Sequence, residues 1–215
     1  MTESPNPAAA RLNALLAEAS QAPLDTAQTQ RFEALLSLFL RWNARINLTS
    51  IRDGEGILKR HFVESIACAR ALPGGIATLL DFGSGAGFPG IPIALCRPEF
   101  AVTLAESQGK KAAFLQEAVR TLGISATVHS GRAESLALRF DCVTLRAVDR
   151  MPQAVQAASE LITQTGWLAL MTIQGELAHV QSLFRGELSW LSPIPLQGGD
   201  TRVLALGQRR IISRA

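Results

Sequence analysis

Cysteine is scarce in this chain, and no two cysteines form a Cys-x-x-Cys pair. The three present, Cys68, Cys96 and Cys142, lie in apolar sequence. A disulfide framework or a zinc knuckle needs thiols paired at close spacing, so neither is expected. The three histidines are also scattered along the chain. We therefore interpret the cysteines as small buried hydrophobic residues and expect no metal site.

Long apolar runs are missing as well. The amino terminus has neither a basic start nor an apolar stretch of signal-peptide length, and no later stretch approaches a membrane span. We therefore expect a cytoplasmic protein that does not associate with membranes. A chain of 215 residues, 47% of them hydrophobic, is long enough for one sizeable α/β domain with a packed core.

Lysine is rare: only 3 of the 21 lysine and arginine residues are lysines. Guanidinium groups form planar forks that suit phosphates and guanine edges, and the sequence pI is about 9.1. Biased genome composition explains the same count equally well. The net charge of +3 therefore permits a nucleic-acid partner without requiring one.

The first third of the chain has helical periodicity. Arg11 to Ser20 suggests a short helix, apolar residues then recur at helical spacing from Phe32 to Leu40, and a third amphipathic stretch runs from Gly56 to Leu72. Pro73-Gly74-Gly75 ends it. We expect an N-terminal helical extension over residues 1–72, packed on a core domain over residues 73–215.

From residue 76 onwards, apolar runs of strand length alternate with helical segments. This alternation predicts an α/β fold with a doubly wound, mostly parallel sheet. The predicted strands cover 76–82, 101–105, 125–128, 141–145 and 167–173, and the predicted helices cover 91–95, 110–122, 152–163 and 176–184. Two further strands, 187–196 and 202–208, joined by a turn at 197–200, predict a terminal antiparallel hairpin on a seven-stranded sheet. Such a Rossmann-like sheet is typical of class I S-adenosylmethionine methyltransferases.

A glycine-rich turn follows the first predicted strand. In parallel sheets ligands bind at the carboxyl ends of strands, and this turn has four glycines within eight residues, Gly83, Gly85, Gly87 and Gly90. Gly85 to Gly90 also matches the dinucleotide fingerprint, so a nicotinamide or flavin enzyme has to be considered. Asp81 favours S-adenosylmethionine, because a carboxylate there repels a pyrophosphate and attracts the ammonium group of a methionine moiety.

Polar residues also follow the next three strands. Glu106, 16 residues beyond Gly90, suits the two ribose hydroxyls of a nucleoside cofactor. Arg132-Ala133-Glu134 follows the third strand at the level expected for an adenine ring, and Arg146 ends the fourth. Each has a purely structural alternative: Asp81 caps a turn, Glu106 is a solvated strand end, and Arg146 is a surface arginine. Their order at successive strand ends favours a cofactor site.

With these residues in place, the chain resembles the glucose-inhibited division protein B (RsmG) family, the bacterial methyltransferases that act on guanine N7 in 16S rRNA of the small ribosomal subunit. The resemblance runs from about Arg41 to Arg202. It rests on the following segments: Arg41-Trp42-Asn43 with Asn47-Leu48-Thr49, His61-Phe62-Val63-Glu64-Ser65, Asp81 to Pro92, Ser107 to Lys111, and Arg146-Ala147. The family usually has aspartate at Glu64 and a lysine at Gln174, so a lysine-dependent substrate contact at position 174 is in doubt.

The resemblance implies a set of contacts by matching position. The implied cofactor residues are Gly83, Phe88, Ala133, Glu134 and Arg146, with Glu106 at the ribose, in addition to Asp81, Gly85 and Gly87. The implied RNA or active-site residues are Lys110, Lys111, Arg132 and Arg202. Arg41, Arg45, Arg52, Lys59 and Arg60 suit phosphate contacts on the helical extension, although a solvated helix face has the same composition.

The implied reaction needs no general base. Guanine N7 carries a lone pair and no proton, so the protein must mainly position donor and acceptor. Arg146 is the expected catalytic residue, through guanine O6 or a phosphate. The fourth strand ends in Leu145-Arg146-Ala147, without the Asn/Asp-Pro-Pro-aromatic loop used on exocyclic amines, and Cys142 lacks the Pro-Cys context of cytosine C5 enzymes.

Two alternatives stay open at this point. One is a small-molecule methyltransferase, which the arginine-rich helices disfavour. The other is a noncatalytic RNA-binding assembly factor, which the intact Asp81, glycine and Glu106 set disfavours. We expect a monomer, since no apolar stripe is left over once the core is assigned.

Overall fold

A computed structural model describes residues 7–146, 150–196 and 201–210. Eight α-helices lie in the described part of the chain: α1 (Pro7–Glu18), α2 (Thr26–Ile46), α3 (Gly54–Ile57), α4 (Glu64–Ala71), α5 (Gly90–Cys96), α6 (Gly109–Leu122), α7 (Met151–Glu160) and α8 (Gln174–Leu183). A π-helical segment (Leu58–Val63) joins α3 to α4, and a short 3₁₀ helix spans Ala133–Ser135. Among the described residues, no helix has the length and apolarity of a membrane span.

The strands form one mixed sheet. They are β1 (Thr78–Phe82), β2 (Ala101–Ala105), β3 (Ala126–His129), β4 (Phe140–Arg146), β5 (Ile162–Ile173), β6 (Leu188–Trp190), β7 (Ile194–Pro195) and β8 (Arg202–Arg209). The sheet order is β3-β2-β1-β4-β5-β8-β6, with β7 also paired to β8. Strands β1 to β5 pair with one another in parallel. Strand β8 is antiparallel to its three partners, β5, β6 and β7. The predicted doubly wound, mostly parallel α/β fold is confirmed.

Two of the predicted elements were wrong in detail. The predicted helix 152–163 ends at Glu160. Ile162 is fully buried and pairs with Phe140 of β4, so β5 begins at Ile162, five residues before the expected Trp167. The predicted strand 187–196 is two short strands, β6 and β7, both paired with β8, so the sheet has eight strands rather than seven. Pro193 lies in the interruption, where it has no N–H to donate. The predicted turn at 197–200 lies outside the described residues.

The sheet separates two hydrophobic cores. Alternate side chains of β5, such as Ala169 and Met171, pack into a core shared with α5, α6 and the N-terminal helices. The intervening Leu168 and Leu170 face the second core, which α7 and α8 cover. The N-terminal helices are therefore built into one face of the sheet and lie next to the ends of β1 and β4.

Local sequence signals mark both ends of α2. Asp25 accepts a hydrogen bond from the backbone N–H of Gln28, and the Gln28 side chain returns to the Asp25 N–H, which forms a capping box at the start of α2. Asn47 ends this helix in the left-handed conformation, with φ of 49°. This turn redirects the chain into residues 48–51, which form one wall of the site described below.

The closest packing at the glycine-rich turn is at Gly90. A Cβ there would lie 2.4 Å from Leu104 Cδ2 and 2.6 Å from Asp81 Oδ2. We predict that Gly90→Ala lowers the free energy of unfolding by about 1–3 kcal/mol, because this space is filled by a buried side chain and a buried carboxylate. Urea denaturation measures the change.

Gly109→Ala is the matched control, since nothing lies within 4 Å of its Cβ position in the first turn of α6. Its free energy of unfolding should stay within about 0.5 kcal/mol of the parent chain. Equal denaturation midpoints for the two variants would contradict the packing described at Gly90.

Candidate functional site

The turn after β1 adopts conformations that glycine favours. Gly83, Gly85 and Gly87 have φ of 70°, 55° and 80°. A Cβ on Gly87 would meet Ile91 and Leu115, so this glycine serves close packing. A Cβ on Gly85 would meet only the carbonyl of Gly83, at 3.8 Å. The backbone at Gly85 is thus open to a ligand, as the sequence predicted for this turn.

Asp81 lies in the interior next to this turn. Its carboxylate accepts hydrogen bonds from the Thr144 hydroxyl at 2.7 Å and the Gly90 N–H at 3.2 Å. Burial raises the pKa of Asp81, and these hydrogen bonds oppose the rise. In the described structure Asp81 does not line the cleft defined below. Contact with a cofactor ammonium group stays a prediction, while its observed role is to join β1, β4 and α5.

Glu106 follows β2 and is buried beside the glycines. One of its oxygens accepts the N–H of Gly85 at 2.9 Å, and the other accepts the N–H of Gln108 at 2.6 Å. Each carboxylate oxygen has a further lone pair. Glu106 therefore has the capacity to accept two more hydrogen bonds, one on each oxygen, as a ribose diol requires.

The loop after α2 forms the opposite wall. Asn43 accepts the backbone N–H of Thr49 at 3.1 Å, and Thr49 Oγ1 accepts the N–H of Ile51 at 3.2 Å. Trp42 donates to Glu117 of α6 at 3.1 Å and packs edge-on against Phe114. These contacts explain the Trp42-Asn43 and Asn47-Leu48-Thr49 motif, whose role the sequence did not reveal: it fixes residues 48–51 and joins the end of α2 to α6.

His61 connects this loop to the glycine-rich turn. Its ring stacks on Phe88, with 4.9 Å between ring centroids, and its Nε2 lies 2.8 Å from Thr49 Oγ1. Phe39 and Phe62 also pack on Phe88. Burial lowers the pKa of His61 to about 3, with further lowering by Arg146, Arg60 and Arg202, so the ring is neutral at physiological pH. His61 belongs to the π-helical segment, an uncommon structure often found at functional sites.

Glu64 is fully buried and faces three arginines. Its oxygens accept two hydrogen bonds from Arg202, from Nε at 2.7 Å and from Nη2 at 2.9 Å. Arg60 Nε lies 3.4 Å and Arg146 Nη2 lies 3.6 Å from the same carboxylate. We call Glu64, Arg60, Arg146 and Arg202 the arginine cluster. It joins α4 and the π-helical segment to the end of β4 and the start of β8.

The predicted catalytic residue, Arg146, is held by partners within the protein. Its Nη2 donates to the carbonyl of Arg60 and lies 3.4 Å from His61 Nδ1, while Nη1 donates to Ser65 Oγ at 3.4 Å. Only 7% of the side chain is exposed. Burial lowers the pKa of Arg146 to about 10, so the guanidinium stays charged at neutral pH. A direct contact with a substrate base stays a prediction.

These elements enclose a cleft of about 570 Å³. This volume lies within the range of small-molecule sites. Of the predicted residues, Arg60, Gly83, Gly85, Phe88, Glu106, Lys111 and Arg146 line the cleft. Its other lining residues are Leu48, Thr49, Ser50, Ile51, His61, Ser84, Ala86, Ser107 and Gln108. Thus one cleft brings the glycine-rich turn together with a wall from the N-terminal helices.

Other predicted residues lie away from the cleft lining described. Ala133 is buried in the second core, and Glu134 and Arg132 are exposed around the short 3₁₀ helix after β3. Arg202 is paired with Glu64. Arg41 and Arg45 are exposed on α2, and Lys110 is exposed at the start of α6. Ala147, part of the Arg146-Ala147 motif, lies outside the described residues.

Sequence reasoning missed three residues of the site. His61, Glu64 and Thr49 were noted only as members of the family motifs and were given no role of their own. Motif membership was the only signal, since the contacts that bring them together include His61 with Thr49, 12 residues apart, and Glu64 with Arg202, 138 residues apart. Within the described ranges, no group of three or more His, Cys, Asp or Glu side chains suits a metal ion.

Comparisons with known proteins match one family over most of the chain. Residues 28–184 match the family model described as rRNA small subunit methyltransferase G. A protein of Roseiflexus sp. (strain RS-1) named Ribosomal RNA small subunit methyltransferase G is 35% identical over 85% of this chain and 84% of its own length. A protein of the same name from Stenotrophomonas maltophilia (strain K279a) is 41% identical over 83% of this chain and 84% of its own.

Solved structures share the fold at low sequence identity. A putative O-methyltransferase from Klebsiella pneumoniae superposes with a TM-score of 0.62 at 15% identity, covering 94% of this chain and 96% of the other. An O-methyltransferase from Bacillus cereus, solved in complex with SAH, gives a TM-score of 0.61 at 14% identity over 93% and 97%. At these identities the likeness concerns the fold alone.

The arginine cluster predicts a large effect of neutralising Glu64. Glu64→Gln leaves three guanidinium groups around a buried position without a carboxylate, so we expect the free energy of unfolding to fall by about 3 kcal/mol. Glu64→Asp keeps the charge and should recover part of this loss. Guanidinium denaturation measures both variants.

Glu55→Gln provides the control, because Glu55 forms exposed ion pairs with Arg11 and Lys59 just ahead of the same helical segment. Its denaturation midpoint should match that of the parent chain. If Glu64→Gln were as stable as Glu55→Gln, the arginine cluster would not hold the cleft together.

Proposed function

The chain belongs to the rRNA small subunit methyltransferase G family, and from this premise we propose that it transfers the methyl group of S-adenosylmethionine to N7 of one guanine in 16S rRNA of the small ribosomal subunit. The observation that carries the proposal is the composition of the cleft. The lining includes the glycine-rich turn and Glu106, and it also includes three basic residues, Arg60, Lys111 and Arg146. The first set suits a nucleoside cofactor and the second a polyanion.

The cleft residues fit S-adenosylmethionine. Gly85 leaves room for close approach to the backbone, and Glu106 has a spare lone pair on each oxygen. Gly83, Gly85, Phe88, Glu106 and Arg146 would hold the cofactor. When bound, it supplies an electrophilic methyl group on a sulfonium sulfur.

Positioning is the main task left to the protein. Guanine N7 has a lone pair and no proton, so no residue needs to remove one. Accordingly, two groups at the cleft keep one protonation state near neutral pH: the His61 ring is neutral and Arg146 is charged. Holding the reacting atoms in near-attack geometry is worth several kcal/mol. We propose that Arg146 orients the acceptor base or a neighbouring phosphate and keeps a fixed positive charge at the cleft.

The RNA would dock on α2 and α6. These helices pack together through Trp42 and Phe114, and Arg41 and Arg45 are exposed on α2. At the start of α6, Lys110 is exposed and Lys111 lines the cleft. We propose that residues 1–72 serve as this docking extension, and that the protein acts as a monomer in the cytoplasm, where small subunits are found.

We predict that the purified chain transfers labelled methyl from S-adenosylmethionine to small subunits that lack the modification. Cleavage at N7-methylguanine should map the label to one guanine. Glu106→Gln should bind the cofactor at least about tenfold more weakly by calorimetry, since it loses a charged acceptor. Glu99→Gln, an exposed carboxylate paired with Arg97, is the control and should bind normally.

Each negative result points to a different alternative. No heat with S-adenosylmethionine would favour a noncatalytic RNA-binding assembly factor. Cofactor binding without label in the subunits, but with label in small molecules, would favour a small-molecule methyltransferase.

The docking surface makes a separate prediction about salt dependence. Lys110→Gln with Lys111→Gln should weaken subunit binding at every salt concentration. The log–log salt slope should fall by about 2, because two phosphates would no longer be neutralised by a lysine. Filter binding over a potassium chloride series measures this slope.

Arg120→Gln is the control, because Arg120 is exposed in the last turn of the same helix, far from the cleft. Its salt slope should equal that of the parent chain. An equal slope for all three proteins would place the RNA elsewhere.

A further inference from the structure

Thr49, His61 and Arg146 form a chain of polar contacts along the cleft wall. Arg146 Nη2 lies 3.4 Å from His61 Nδ1, and His61 Nε2 lies 2.8 Å from Thr49 Oγ1. The stack on Phe88 holds the plane of the imidazole ring between these two partners. All four residues line the cleft. The direction of each hydrogen bond in this chain follows from the chemistry of its members.

Arg146 sets the direction at one end. A guanidinium group has donors and no acceptor, so the lone pair of His61 Nδ1 must face it. A neutral imidazole has one N–H, which is then on Nε2. A second proton on Nδ1 would face the positive charge of Arg146, and burial among three arginines already disfavours the charged ring. His61 therefore donates from Nε2 to Thr49.

Thr49 sets the direction at the other end. Its hydroxyl oxygen accepts from His61 Nε2 and from the N–H of Ile51 at 3.2 Å, which occupies both lone pairs. Its own O–H is the one hydrogen-bonding capacity left. Among residues 7–146, 150–196 and 201–210, no acceptor pairs with this proton. Thr49 is half-buried and lines the cleft, so the free donor is available to a bound ligand.

We propose that Thr49 is a ligand-binding residue whose hydroxyl, held as an obligatory donor by Arg146 and His61, hydrogen-bonds an acceptor oxygen of a ligand in the cleft. His61 is its positioning residue. The proposal rests on the proposed function for the identity of the ligands, of which two carry such an oxygen: the acceptor guanine, through O6, and the methionine moiety of the cofactor, through its carboxylate.

This fixed direction discriminates between bases. Guanine presents the acceptors N7 and O6 on the edge to be methylated, whereas adenine presents a donor, N6, in place of O6. A hydroxyl free to rotate could serve either base, by donating or by accepting. With both lone pairs occupied, the Thr49 hydroxyl can only donate, and guanine O6 can accept its proton. Adenine N6 is itself a donor, so an adenine would leave two donors facing each other.

The tautomer is tested in the parent chain without any substrate. Long-range ¹H–¹⁵N spectra, with the His61 signals assigned by their loss in His61→Phe, should show a protonated Nε2 and an unprotonated Nδ1. This pattern should persist from about pH 8 to about pH 5.5, where an ordinary histidine titrates. The opposite tautomer, or titration within this range, would overturn the proposal whether or not the protein transfers methyl groups.

The hydroxyl is tested by Thr49→Val and Thr49→Ser. Valine keeps the shape and removes the donor, so we expect about a three- to tenfold loss, the value of one neutral hydrogen bond. Serine keeps the donor and should restore function. A loss in calorimetric cofactor affinity assigns the acceptor to the methionine carboxylate, whereas a loss in transfer at unchanged cofactor affinity assigns it to the RNA.

Equal behaviour of the valine and serine variants would overturn the proposal. Thermal denaturation checks that both variants fold, and His61 spectra of Thr49→Val separate loss of the donor from displacement of the ring. If Thr49→Val does not fold, Thr49→Ala takes its place, with the same comparison to serine.

A double-mutant cycle tests the RNA assignment directly. Replacing the mapped guanine with 2-aminopurine removes O6 and keeps N7. The parent chain should lose activity on this RNA by about the same factor that Thr49→Val loses on guanine, and Thr49→Val should lose nothing further. Additive losses would assign the O6 contact to another residue and overturn the RNA assignment.

Discussion

The buried carboxylate of Glu64 joins the N-terminal helices to the sheet beside the cleft. It pairs bidentately with Arg202 of β8 and lies within 4 Å of Arg60 and Arg146. Burying a carboxylate is costly unless it is well paired, and this one has three cationic neighbours. The arginine cluster has more guanidinium groups than carboxylates, so it leaves a net positive charge beside the cleft. One interaction thus accounts for the position of the N-terminal helices and for the electrostatics of the site.

The aromatic packing at Phe88 makes this arrangement rigid. Phe88 ends the glycine-rich turn, and Phe39, His61 and Phe62 from the N-terminal helices pack around it. The first hydrophobic core runs without interruption from α1 and α2 to α5, α6 and the sheet. The N-terminal helices therefore complete the cleft, because the residues after α2 are one of its walls. The division at residue 72 remains a prediction about the chain, and the packing crosses it.

A reaction without proton removal explains the chemistry that the cleft contains. Burial keeps His61 neutral and positive neighbours reinforce this, while Arg146 remains charged. Neither group changes its protonation state near neutral pH, which suits a site whose task is to orient a base and a donor. Both serve as fixed hydrogen-bond partners, and the direction of each bond follows from the one before it.

The sequence by itself determined the fold class, the order of the elements and the presence of a glycine-rich turn and Glu106 at neighbouring strand ends. Those features depend on short-range patterns: apolar periods of two or 3.6 residues, glycines where positive φ is needed, and a carboxylate at the end of β2. Periodicity failed at residues 161–166, where a buried strand position outweighed helical spacing, and at Pro193, which interrupts the last hairpin. Only the tertiary structure decided that Asp81 faces inwards, that Arg146 is enclosed by the protein, and that Thr49, His61 and Glu64 belong to the site. The long-range contacts among them, such as His61 with Thr49 and Glu64 with Arg202, join residues 12 and 138 positions apart, and such contacts depend on how packed helices and strands meet, which local sequence patterns do not encode.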